Sequence, residues 1–97
     1  METYIILGKF TEKGVANVKE SPARAQASRM AVEAAGGKWI GLYLTMGQYD
    51  FVTIVQAPNA QAAAALLLVT GAQGNVSTQT MRAFTEEEFK GIVASLP

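Results

Sequence analysis

The sequence predicts an α+β fold whose four strands make one antiparallel sheet. Three observations predict it. Four short runs rich in Ile, Val, Leu, Tyr and Thr have the length and composition of strands. Two alanine-rich segments with helical spacing lie between the first and second runs and between the third and fourth. The second and third runs are joined by Met46-Gly47-Gln48-Tyr49-Asp50-Phe51, where Gly47 offers a turn and an antiparallel hairpin follows.

Taken in order, Thr3–Phe10 reads as the first strand and Thr11-Glu12-Lys13-Gly14 as a turn. Val15–Glu20 is a short helical lead-in. Ser21-Pro22 opens a helix, with Ser21 as cap and Pro22 in the first turn. Ala23, Ala27, Met30, Ala31 and Ala34 then follow helical spacing, and Gly36-Gly37 stops the helix. In the strand Lys38–Met46, strict alternation places Trp39, Gly41, Tyr43 and Thr45 on one face and Ile40, Leu42, Leu44 and Met46 on the other. Asp50–Ala57 sets Val52 and Ile54 against Phe51, Thr53 and Val55. Pro58-Asn59 opens a second helix, with Asn59 as cap. Ala60–Val69 is apolar nearly all round, the pattern of a helix buried on more than one side, and Gly71 and Gly74 end it. Asn75–Phe84 is the fourth strand. Thr85-Glu86-Glu87-Glu88 is a capping box, and Phe89, Ile92, Val93 and Leu96 form the apolar stripe of a short C-terminal helix.

The element order β-α-β-β-α-β makes two βαβ units, the ferredoxin-like arrangement with both helices on one face. The other face of such a sheet ordinarily meets water and is polar. Here the first three strands carry large apolar or aromatic side chains on both faces. Leaving one set in water exposes a patch of several hundred Å², which monomers rarely tolerate. Burying two or three such side chains stabilises by about 1.5–3 kcal/mol each. The expected assembly is a homodimer whose open sheet faces meet, an isologous two-sheet barrel.

Gly47-Gln48-Tyr49-Asp50 resembles the Gly-x-Tyr-Asp signature of the GYD-domain family of small bacterial and archaeal proteins. The resemblance extends to Lys9-Phe10-Thr11 with Gly14, to Ser21-Pro22-Ala23-Arg24, and to Ala57-Pro58-Asn59. It also takes in Gly74-Asn75-Val76-Ser77-Thr78-Gln79-Thr80 with Arg82-Ala83-Phe84, so it spans nearly the whole chain. Two positions depart from the family's pattern: Asn59 stands where an acidic residue is usual, and Ser77 where a charged one is common. Neither touches the signature. The family is similar to dimeric α+β barrels, so the resemblance implies the fold and the dimer argued above. It implies no activity.

Ninety-seven residues make one domain, 1–97, and a domain this short buries only about two-thirds of its unfolded surface. It gains from an oligomer. A net charge of zero argues against nucleic acid or an anionic membrane as partner, since both require clustered Lys and Arg. With no cysteine there is no thiolate nucleophile and no disulfide. With no histidine the ordinary proton shuttle near pH 7 and the commonest metal and haem nitrogen ligand are missing. No cofactor or metal is expected. No signal peptide or membrane span is visible, so a cytoplasmic protein is the default.

Six residues are candidates for a site. Asp50, beside Tyr49, could act as acid or base; its structural alternative is to accept amide hydrogens and pin the hairpin. Tyr49 could aim its hydroxyl into a pocket or cover a sheet edge. Trp39 and Tyr43, on one face under strict alternation, could line a ligand cavity or fill a dimer core. Lys9 could anchor an anion, though a lysine at a strand end ordinarily reaches solvent. Arg82, with Thr78 and Thr80 on its face, could bind a carboxylate or phosphate, or form a polar face that discourages aggregation. Arg24 and Arg29 read as solvent or interface charges. Gly71-x-x-Gly74 ends a helix and is no phosphate loop.

Two functions follow. One is a small-molecule binding protein with its cavity between sheet and helices or inside the dimer. Its enzymatic version, a cofactor-free oxygenase or isomerase using a Tyr–Asp pair, rests on fold analogy alone. The other is a non-catalytic assembly module in which the signature maintains hairpin and dimer geometry. Binding is the favoured reading, ahead of catalysis.

Overall fold

The structure, a computed structural model, describes residues 1–97. Strands β1 (Glu2–Phe10), β2 (Lys38–Leu44), β3 (Phe51–Ala57) and β4 (Val76–Ala83) form one antiparallel sheet in the order β2-β3-β1-β4. The helices are α1 (Glu12–Ala16), α2 (Ser21–Ala34), α3 (Ala60–Ala72) and α4 (Glu86–Ala94), with one 3-10 turn at Val18–Glu20. This is the expected ferredoxin-like arrangement, with α2 and α3 on one face of the sheet.

The central strands show why the chain folds this way. Along β1, Tyr4, Ile6 and Gly8 are buried, and along β3, Thr53, Val55 and Ala57. That period of two turns one side of each strand to the helices. Val32 of α2 and Ala63 of α3 complete the core, with Trp39, Leu66 and Leu67 packed around it. The core is thin: only 9 of 97 residues are buried. The opposite face carries Ile5, Leu7, Val52 and Ile54, all half-buried, with Tyr43 and Met81 exposed beside them.

Several local signals act as expected. Asn59 caps α3 by accepting from the Ala62 N–H at 2.9 Å. Thr85 and Glu88 form the reciprocal capping box of α4. Gly36, at φ +85°, takes the left-handed conformation that ends α2.

Other segments differ. Thr11–Gly14 is the start of α1, not a turn: Thr11 accepts from the Gly14 N–H at 3.1 Å and donates to the Gly74 carbonyl at 2.6 Å. Ser21 does not cap α2, because the 3-10 turn runs straight into the helix and the Ser21 hydroxyl accepts from Arg24 instead. The inward side of α2 is Arg24, Ala25, Ser28 and Val32; Ala23, Ala27, Met30, Ala31 and Ala34 are exposed. Alanine marks helical spacing but is too small to decide which side faces the core. Helix α3 runs through Gly71 to Ala72, and Gly74, at φ +77°, turns the chain just beyond it.

The largest correction lies in β2. Trp39 pairs with Val55 but Gly41 pairs with Ile54, so Ile40 is one residue too many and forms a β-bulge. The bulge reverses every side chain after it. Trp39 therefore shares the helix side with Leu42 and Leu44, while Tyr43 stands on the open face opposite Val52. Strict alternation put Trp39 and Tyr43 together; the bulge separates them. Helix α4 stands apart, with every residue exposed except Glu88. Its stripe of Phe89, Ile92 and Val93 faces solvent, and the protein measures 52 × 31 × 18 Å.

Candidate functional site

Between α2 and α3, above the sheet, lies a cleft of about 480 Å³. That is within the size range of small-molecule sites. Its floor comes from the helix side of the sheet: Ile6 and Phe10 of β1, Trp39, Leu42 and Leu44 of β2, and Phe51, Thr53 and Val55 of β3. Leu66, Leu67 and Thr70 of α3 form one wall, and Ser21, Arg24, Ala25 and Ser28 of α2 the other. Ala25 and Ser28 keep the α2 wall small and leave room over the sheet. Gly8 contributes from beneath. It pairs with Phe51, whose ring lies over the glycine where a Cβ would stand. Phe51 also packs against Phe10 in a tilted pair, with ring centroids 5.7 Å apart and planes at 47°.

Arg24 is the only charged residue lining the cleft. Its Nη1 donates to the Asn17 carbonyl at 3.2 Å and its Nη2 to the Ser21 hydroxyl at 3.0 Å. Glu20 lies 3.7 Å away on the solvent side.

Of the six residues singled out in the sequence, the cleft takes one, Trp39. Asp50 sits at the start of β3 with its Oδ2 accepting from the Phe10 N–H at 2.8 Å. Tyr49 donates from its hydroxyl to Gln79 Oε1 at 2.7 Å, and the Lys9 Nζ lies 5.5 Å from its ring. The Tyr49 hydroxyl and the Asp50 carboxylate thus hydrogen-bond to different partners. Tyr43 lies on the open face with its ring beside Gly41. Arg82 is engaged at the root of α4: its guanidinium lies over the rings of Tyr4 and Phe84, and it pairs with Glu2 at 4.0 Å and Glu88 at 3.9 Å. Thr78, from the same stripe, lines the cleft.

Two groups near Arg82 titrate away from their ordinary ranges. The Tyr4 hydroxyl donates to Glu2 Oε1 at 2.6 Å, and that bond, aided by burial, holds the phenol's pKa above its usual value. The Thr85 N–H donates to Glu88 and lowers that carboxyl's pKa. No three acidic side chains come together as a metal site would require. No helix is long and apolar enough to cross a membrane.

Sequence reasoning missed Arg24, Phe10 and Phe51 as cleft residues. Arg24, Ala25, Ser28 and Val32 follow helical spacing, which was the available signal for the inward side of α2.

An α+β fold with a cleft between its helices and its sheet defines the class: a ferredoxin-like protein. The chain belongs to the GYD domain family, whose model matches residues 4–93. A Thermus thermophilus protein named glutamine synthetase and cystathionine beta-lyase binding protein is 31% identical over 84 residues, covering 86% of this chain and 88% of its own. The crystal structure of TTHA0845 from Thermus thermophilus has the same fold, with a TM-score of 0.51 and 22% identity over 88% of this chain and 95% of that one.

Proposed function

We propose that the chain is a single-domain, cytoplasmic, homodimeric binding protein that holds a small, largely apolar molecule in the cleft between α2 and α3. The cleft itself carries this reading: about 480 Å³, floored by aromatic and aliphatic side chains, with one charge at its wall. Such a composition suits binding, since apolar walls supply affinity and a few polar groups supply orientation. The open sheet face supports the dimer. Ile5, Leu7, Val52 and Ile54 form a continuous apolar surface with Tyr43 and Met81 at its margins, beside a core too thin to leave that surface in water. Native mass spectrometry of the purified protein tests both parts. A dimer with excess mass released on denaturation is the expected result. A monomer at micromolar concentration overturns the assembly.

A second reading is favoured by one observation, the name of the Thermus thermophilus relative, which describes binding to two enzymes. On that reading the chain binds a protein partner. Co-purification with an enzyme, in the absence of any small molecule, would favour it.

A further inference from the structure

We propose that the cleft takes an amphiphilic monocarboxylate, with its apolar body between Trp39 and Phe51 and its carboxylate on the guanidinium of Arg24. This names the ligand class for the cleft and rests on the small-molecule reading above.

The geometry of Arg24 carries the proposal. Its side chain is 23% exposed, so it lies in the wall of the cleft and does not wave in solvent. Bonds to the Asn17 carbonyl and the Ser21 hydroxyl fix the plane of the guanidinium. Those bonds use two of its five N–H donors and leave others for a ligand. Its charge is weakly compensated: the Glu20 carboxylate is 3.7 Å away and 73% exposed, and an ion pair of that kind contributes little. The first turn of α2 carries no acidic residue, and the one acid at that helix end is the exposed Glu20 at the N-cap. A cation there opposes the helix dipole, so the helix gains nothing from it, while an anion beside it is favoured twice.

The remaining walls narrow the class. A guanidinium fork matches a carboxylate with two parallel hydrogen bonds. No second cation lines the cleft to share a phosphate dianion. The aromatic and aliphatic floor suits a hydrocarbon or aryl body.

The test uses the full-length protein and the fluorescence of Trp39, the single tryptophan. The probes are 4-phenylbutyrate and the neutral 4-phenyl-1-butanol, which share a body and differ in the head. The acid is expected to bind about tenfold or more tightly, the scale of hydrogen bonds to a charged group. In Arg24→Gln the acid falls to the affinity of the alcohol and the alcohol is unchanged; Arg24→Lys retains part of the preference. Equal binding of both probes to the natural protein overturns the carboxylate assignment while the cleft reading stands. No response to either probe, at concentrations up to millimolar, overturns both.

Discussion

The carboxylate of Asp50 accepts the backbone N–H of Phe10 at 2.8 Å, joining the end of β1 to the start of β3 across 40 residues. The Asp50 backbone makes two further bonds: its N–H donates to the Gly8 carbonyl and its carbonyl accepts from the Thr45 N–H, both at 2.8 Å. The signature aspartate therefore ties the hairpin loop to the central strand, and it acts on the Phe10 amide rather than on amides of the loop itself.

Asp50→Ala is expected to lower stability by about 1.5–3 kcal/mol, because it removes a hydrogen bond to a charged acceptor and leaves the Phe10 amide unpaired. Asp50→Asn keeps an acceptor oxygen and loses roughly 1 kcal/mol. Urea denaturation measures both. Equal stability of Asp50→Ala and the natural protein would contradict the pinning role.

Gly8→Ala places a methyl group where the ring of Phe51 lies. The ring must turn toward the cleft or the strands must part, at a cost of about 1–3 kcal/mol typical of overpacking. The midpoint of thermal unfolding should fall, and 4-phenylbutyrate should bind more weakly because Phe51 floors the cleft. A silent substitution on both counts would refute the contact.

Ile54→Asp puts a charge at the centre of the open sheet face, opposite Ile5. If two such faces meet, an unpaired charge is buried twice per dimer, at a cost of several kcal/mol. Sedimentation should show monomers where the natural protein is expected to show dimers. The cleft lies on the other face of the sheet, so probe binding should survive. An intact Ile54→Asp dimer would place the interface elsewhere.

Glu88 ties α4 to its cap, and its pH response follows. Its folded pKa is depressed, first by the Thr85 N–H it accepts. The stabilisation is therefore full above the ordinary glutamate value of about 4.3 and is lost as pH falls through the lower folded value. The Thr85 amide resonance should titrate below pH 4.3, with α4 fraying at its N-terminus over the same range. Glu88→Gln should abolish the titration and retain most of the helix, since glutamine also serves at that capping position.

The strands, the order of elements and most of the caps were legible in the sequence because each is encoded locally. Asn59, Gly36 and the Thr85–Glu88 box act through hydrogen bonds or dihedral angles within a few residues of themselves. The site was less legible. Only Trp39 among the six candidates lines the cleft, since the cleft is a property of how two helices sit on a sheet. Tyr49 and Asp50 are adjacent in sequence, yet their side chains engage Gln79 and Phe10 on different strands.

By itself the sequence determined the ferredoxin-like order, the family signature and an apolar excess on both faces of the sheet. These rest on periodicity, capping and side-chain volume, which are fixed by neighbours in the chain. Tertiary structure decided which face each residue takes. One extra residue at Ile40 reverses Tyr43 relative to Trp39, and nothing in the alternation of β2 announces it, because both faces are apolar. The side chain of Arg24 likewise became part of the cleft wall only when the 3-10 turn and α2 docked over the sheet. Its position in the sequence fixes its charge; its partners fix its aim.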